Sequence, residues 1–204
     1  MSNVIDKLTE YFRKFPGIGP RQAKRFVYSL LTSSDTYRKE LSALILELKN
    51  DIAVCQSCFR FFAVNGSGRN LCPICADPNR DNSTLLIVMR DVDLENLEKS
   101  HVYHGKYFVL GGGVPILAES PEKNVRTKEL LEIIKKMTAL KEIVMAMSLT
   151  AEGENTEEYL RKILAGAQSE RKIKLSTLGR GLSTGTELEY SDTETLKSAF
   201  QNRH

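Results

Sequence analysis

No stretch of the 204-residue chain approaches the roughly 18 consecutive apolar residues a membrane span needs, and the opening MSNVIDKLTEYF carries acids where a secretory signal has an uninterrupted apolar segment. A cytoplasmic protein with no membrane partner is expected. Internal repeats and low-complexity tracts are absent, and 41% hydrophobic with 27% charged residues excludes wholesale disorder. A large excess of one charge is also missing, since the formal net charge is only +3. The small surplus is uneven: residues 1–50 hold nine Lys and Arg against five Asp and Glu, and residues 51–204 hold twenty against twenty-one. A surplus of that size is equally that of a solvated helix face, so charge alone does not identify a nucleic-acid partner. Histidine is scarce. His101, His104 and His204 have no serine or cysteine motif beside them, and the first two read as solvated loop residues. The run GGG at 111–113 lacks the GxGxxG spacing and a Lys-Ser/Thr ending, so it reads as a flexible loop, and nothing looks like an ATPase.

What is present falls into modules. Val4, Ile5, Leu8, Tyr11, Phe12 and Phe15 recur at spacings of three and four, which predicts a helix over 4–15 ended by Pro16. A second helix begins near Pro20, with Ala23, Phe26, Val27, Leu30 and Leu31 on its buried face. Asp35 is the expected cap of a third, whose apolar stripe is Leu41, Leu44, Ile45 and Leu48. Between Cys55 and Cys75 the periodicity stops and turn formers collect in NGSGRN, a piece too small to hold itself together by burial. Beyond DPNRDNS, apolar runs alternate with helical stretches. The runs are 85–89, 107–110, 142–147 and 173–178, and the helices fall near 91–98, 127–137 and 156–165. That alternation predicts a parallel α/β sheet. The tail 179–204 carries a strand-like ELEY and a final helix from about Thr193.

The strongest chemical signal is CQSC followed after thirteen residues by CPIC. Each CxxC pair can grip one ion from a tight turn, and four thiolates complete tetrahedral zinc with no position left for water, which is structural rather than catalytic chemistry. Disulfides or inert buried thiols are the other reading; a reducing compartment and the paired spacing weigh against both. Cys55, Cys58, Cys72 and Cys75 are therefore the expected ligands of one structural Zn2+ per chain, supplying folding energy that a short loop lacks.

The second signal is FPGIGPRQAKRF, where Gly17 and Gly19 permit a tight turn and backbone N–H groups can point toward an anion. Arg21, Lys24 and Arg25 follow in the first turns of the next helix, close enough to add contacts to the same phosphate backbone. The motif resembles a helix-hairpin-helix, which grips DNA without reading bases. The third signal is acidic. In EIVMAMSLTAEGENTEEYL a strand ends and a loop presents Glu152 and Glu154 around Gly153 before a helix starts. Carboxylates at the end of a parallel strand could hold magnesium for phosphoryl chemistry, or could simply favour the helix N-terminus.

With hairpin, four-cysteine finger and α/β block in that order, and with CPICADPNRDNS and the closing string GRGLSTGTELEYSDTETLKSAF, nearly the whole chain resembles the RecR family of bacterial recombination proteins. The resemblance implies a multi-module α/β protein. Its parts are a helix-hairpin-helix DNA-binding domain (1–54), a four-cysteine zinc finger (55–78), a Toprim-like α/β domain (79–178) and a C-terminal assembly segment (179–204). It implies a non-enzymatic mediator that works with RecO-like and RecF-like proteins to place the RecA recombinase on gapped DNA, as a homotetrameric ring able to surround duplex DNA, in the nucleoid-associated cytoplasm. Arg21 and Arg25 match the family's DNA-contacting positions, and Glu152 and Glu154 match Toprim acids associated with RecO contact. The family usually closes its first Toprim strand with glutamate; here Met89 stands in that place, which opposes the alternative of a magnesium-dependent Toprim enzyme of primase, nuclease or topoisomerase type.

Overall fold

The computed structural model describes residues 3–64 and 70–179, with isolated positions beyond. The expected strand ELEY lies outside the described residues, as does most of the last predicted helix, whose described members Thr193, Thr195, Leu196 and Ala199 are helical. The chain divides into two compact units, 1–52 and 53–204.

The first unit is three helices. In α1 (Val4–Arg13), the Asn3 side chain accepts from the Asp6 N–H at 2.9 Å and the Asp6 carboxylate accepts from the Asn3 N–H at 3.4 Å, a reciprocal cap. It ends before Phe15, because the N–H groups of Lys14 and Phe15 tighten onto the Tyr11 and Phe12 carbonyls on the approach to Pro16. In α2 (Pro20–Thr32) proline occupies the first helical turn, where its missing N–H costs nothing. For α3 (Asp35–Asp51) the cap is Ser34, accepting from the Tyr37 N–H at 3.1 Å, and not Asp35. Asp35 is the first helical residue, paired instead with Arg38 and favoured there by the helix dipole.

Phe12 meets Phe26 edge-on at 5.7 Å and joins α1 to α2. Only Ala23 and Val27 are fully buried among the described residues of this unit. Leu31, expected on the buried face, is 57% exposed, and the α3 stripe stays open at Leu44, Ile45 and Leu48. Three short helices have no further layer to cover that side. The result is an apolar groove of about 890 Å³ lined by residues such as Leu8, Phe12, Leu30, Leu31, Leu41 and Ile45.

The second unit opens with a small hairpin, β1 (Ile52–Val54) and β2 (Phe61–Ala63), and a one-turn helix α4 (Pro73–Ala76). Then come β3 (Asp81–Val88), α5 (Asp91–Ser100), β4 (Gly105–Val109), α6 (Thr127–Lys136), β5 (Glu142–Ala146), α7 (Ala151–Arg171) and β6 (Lys174–Thr177). The four strands β3 to β6 form a wholly parallel sheet in the order β4-β3-β5-β6. The chain leaves β3 to one side for β4 and returns to the other for β5, so the connecting loops part at the carboxyl end of β3.

A parallel sheet needs both faces covered, and the alternation along β3 shows by what. Leu85 and Ile87 face a core with Phe108, Ile143, Met145, and the helix residues Leu130, Ile134, Leu160 and Leu164. Leu86 and Val88 face the opposite way, into a cluster with Tyr107, Val109, Leu94 of α5, and Cys55, Cys58, Phe62, Cys72 and Ile74. The four-cysteine loop is thus part of a layer of the sheet domain. Among the described residues, no helix is long and apolar enough to cross a membrane.

Truncating Leu160, fully buried between α7 and the sheet, leaves a cavity: Leu160→Ala should cost about 2–5 kcal/mol in urea unfolding. Leu117→Ala, at a side chain 92% exposed, should stay within about 0.5 kcal/mol. Equal effects would contradict this placement of the core.

Candidate metal centre and nucleic-acid interface

Two knuckles carry the cysteines. The first turns back on itself where the Phe59 N–H donates to the Cys55 carbonyl at 3.0 Å and the Cys55 N–H to the Arg60 carbonyl at 2.9 Å. The second is the start of α4, with the Ala76 N–H donating to the Cys72 carbonyl at 3.0 Å. A bond from the Gln56 N–H to the Asn70 carbonyl at 2.9 Å ties the two together. The four Sγ atoms consequently lie within 4.8 Å of one another, with Cys58 and Cys72 at 3.6 Å. Cys55, Cys58 and Cys72 are buried and Cys75 is half-buried. The Cys72 N–H points at Cys55 Sγ from 3.4 Å, the polarity an anionic sulfur requires.

The thiols share their protons unequally. Hydrogen bonds, first from Cys58 and then from Cys72 and Cys75, hold Cys55 below its ordinary range. Cys72 is lowered to about 7, with Cys55 raising it and Cys58 and Cys75 together outweighing that. Cys58 and Cys75 are pushed up, in both cases chiefly by Cys55. Close, buried sulfurs that cannot all ionise alone fit a cation, and the residues present could hold a metal ion by four thiolates.

Phe59, directly after the first pair, has φ 61, a left-handed conformation that aromatic residues rarely keep. Packing holds it: its ring meets Phe108 at 5.3 Å, and the Arg126 guanidinium lies 5.8 Å from the ring centroid. Further bonds fasten the knuckles to the sheet. The Val109 N–H donates to the Cys58 carbonyl at 2.8 Å, and Lys106 Nζ donates to the Cys75 and Asp77 carbonyls at 3.2 and 3.3 Å. β4 is an edge strand, and these contacts occupy its open side.

Glu152 and Glu154 do not sit in a loop. α7 begins at Ala151, because the Thr150 side chain accepts from the Gly153 N–H at 3.1 Å, so both acids belong to its first turn. There the helix dipole favours a negative charge. Nor is the GGG run loose. The ends of the Glu152 and Met89 side chains rest against Gly113, so a Cβ there would have to push both aside. The run continues into Val114, whose N–H donates to the buried Thr156 hydroxyl at 2.8 Å, and Asn155 donates to the Val114 carbonyl at 2.9 Å. The carboxyl end of β3 therefore juxtaposes one carboxylate with a thioether, which does not ligate magnesium.

In the first unit, Gly17 has φ 74, which makes the turn between α1 and α2. Gly19 is the N-cap of α2 and no side chain caps the helix, whereas Asn3 and Ser34 cap α1 and α3. The Ala23 N–H bonds back to the Gly19 carbonyl at 3.0 Å, and the N–H groups before it in the first turn have no side-chain cap. Arg21, Lys24 and Arg25 are exposed just beyond, Arg25 donating only to Gln22 Oε1 at 3.4 Å among the bonds seen. Backbone donors and three cations thus share one short stretch, a combination suited to phosphate.

Sequence reasoning passes over Arg126, Phe59, Thr156 and Asn155. The only sequence signal is a bulky residue directly after CQSC, where the turn requires a positive φ.

Comparison with known proteins agrees with this arrangement. Residues 5–49 match the family described as RecR, helix-hairpin-helix; residues 83–178 match the Toprim domain; residues 181–204 match RecR, C-terminal. Relatives called recombination protein RecR include those of a Cyanothece species, Bifidobacterium adolescentis and Ligilactobacillus salivarius. Each is 34% identical over 200 residues, 98% of this chain and 94%, 95% and 96% of the respective relative.

Metal binding must displace thiol protons, so affinity should fall as pH is lowered. Titration of the metal-stripped chain with a chromophoric competitor at pH 8 and pH 6 checks this. Affinity independent of pH would exclude four-thiolate ligation.

Proposed function

The chain belongs to the RecR family of recombination proteins, and on that premise we propose that it is a DNA-binding mediator of recombinational repair that acts by shape and assembly, not by catalysis. The observation that carries the reading is the uncapped α2 N-terminus behind Gly17, flanked by exposed Arg21, Lys24 and Arg25. Amides and guanidinium groups in that arrangement contact phosphates without sampling base edges, which suits duplex or gapped DNA of any sequence.

One hairpin makes few phosphate contacts and binds weakly. Several on one body convert weak contacts into avidity. The open apolar groove of the three-helix unit supports self-association, and a homotetrameric ring around duplex DNA is the assembly we infer. Its charge would be 4 × 3 = +12 from the formal +3 per chain. Cys55, Cys58, Cys72 and Cys75 hold one zinc ion per chain in this reading, and the ion supplies cohesion to a loop that buries, among its described residues, only Phe62 and Ile74 besides the cysteines. Modules at 1–54, 55–78, 79–178 and 179–204 divide the labour as hairpin, finger, Toprim domain and assembly segment.

Glu152 and Glu154, in the first turn of α7, form the contact for a RecO-like partner; together with a RecF-like protein this places RecA on gapped DNA in the nucleoid-associated cytoplasm. A magnesium-dependent Toprim enzyme is the weaker reading. Met89 fills the place beside Glu152 where such chemistry needs a second carboxylate.

Replacing both Arg21 and Arg25 by alanine should weaken binding to unrelated duplexes alike. Two lost phosphate contacts per engaged chain should flatten the slope of log affinity against log salt by about 1.8. Fluorescence anisotropy over a salt series measures both, and unchanged affinity and slope would refute the assignment. Glu152→Gln should reduce capture of the RecO-like partner while leaving DNA binding intact; undiminished capture would remove that residue from the interface.

A further inference from the structure

We propose that Arg126 is a positioning residue that couples the four-cysteine centre to the loop against which Glu152 rests, so that metal occupancy is read at the acidic end of the sheet. The functional meaning of that end rests on the partner-binding role proposed for Glu152; the coupling itself does not.

Arg126 stands just before α6 and holds two carbonyls at once. Its Nη1 donates to the Phe59 carbonyl at 2.9 Å and to the Val109 carbonyl at 3.0 Å. Phe59 follows the metal ligand Cys58, and Val109 is the last residue of β4. The Val109 N–H meanwhile donates to the Cys58 carbonyl at 2.8 Å, so both polar atoms of Val109 answer to the first knuckle, one directly and one through Arg126. The backbone N–H of Arg126 adds a bond to the Leu110 carbonyl at 3.0 Å.

Leu110 leads straight into the glycine run. The Gly111 N–H donates to the Met89 carbonyl at 3.0 Å, and Gly113 lies against the ends of the Met89 and Glu152 side chains. The loop's far end is fixed on Thr156 and Asn155 of α7, the helix that carries Glu152. The segment from Gly111 to Val114 is therefore held at both ends, by the knuckle through Arg126 and by α7.

Phe59 makes the near end sensitive. Its φ of 61 persists while the Cys55–Cys58 turn and the packing of its ring are intact. Losing the ion frees that turn, and the Phe59 backbone can relax toward the negative φ that non-glycine residues prefer. The carbonyl held by Arg126 then moves, and the guanidinium loses one of the two acceptors that orient it. The loop keeps its backbone bond to Met89 and its anchors on α7 but loses the brace through Arg126, and the surroundings of Glu152 loosen.

The test is a cycle of metal removal and substitution read by amide hydrogen exchange in the full chain. In the unsubstituted protein, stripping zinc with a chelator should speed exchange at Gly111–Val114 about tenfold, within the range usual for coupled sites. In Arg126→Met these amides should already exchange fast with one zinc per chain retained, and stripping should add less than about twofold. A merely structural arginine gives additive effects, with stripping still producing its full acceleration; that result, or no acceleration in the unsubstituted protein, overturns the proposal. Should Arg126→Met fail to fold, Arg126→Lys serves in the same cycle, since an ammonium keeps the charge and one bond but not the planar fork, and it should give an intermediate dependence on zinc. Partner capture is measured separately. If Glu152→Gln leaves capture unchanged while the exchange cycle behaves as described, the partner reading fails and the coupling stands.

Discussion

A sheet of four parallel strands must be covered on both faces, and here one covering layer has almost no core of its own. Helices α6 and α7 bury one face with leucine and isoleucine in the ordinary way. On the other face α5 supplies only Leu94 among its fully buried residues, and the remainder comes from Cys55, Cys58, Phe62, Cys72 and Ile74. Sulfur atoms occupy positions where a second helix would place aliphatic side chains. A metal ion bound by the four thiolates would do for this face what apolar area does for the other, and the same loop occupies the open edge of β4.

The first unit has the opposite character. It spends little of its apolar surface on itself, burying Ala23 and Val27 and leaving Leu31, Leu44, Ile45 and Leu48 open. Its capping is selective: side chains close the N-termini of α1 and α3 and leave that of α2 open. Apolar exposure and open backbone donors on one small body are costly features in isolation. In the proposed function, protein on one surface and polyanion on another complete the unit.

Much of this is legible from residues because the relevant physics is local. The spacing of four cysteines states their ligand geometry, and an unbroken run such as LLIVM announces a strand buried on both faces. Proline and glycine at 16–20 mark the turn between the first helices. The features that escape depend on contacts that residue patterns do not display. Glu152 and Glu154 read as loop residues unless Thr150 is recognised as a cap, and Asp35 competes for the capping role with Ser34 one residue earlier. The GGG run looks flexible because nothing in the sequence says that Met89 and Glu152, from two other segments, press against Gly113. Arg126 is invisible for the same reason, its two acceptors lying 67 and 17 positions away.

The turn at Gly17 has an evolutionary consequence. Donors drawn from the peptide backbone are written in no side chain, so most substitutions in the first turn of α2 leave them in place. Drift can exchange one basic residue for another or move the charge by a position while the amides persist. Only a change that closes the turn, above all at the glycine holding φ 74, removes them together. Such a surface tolerates gradual divergence around it and fails abruptly at a single position.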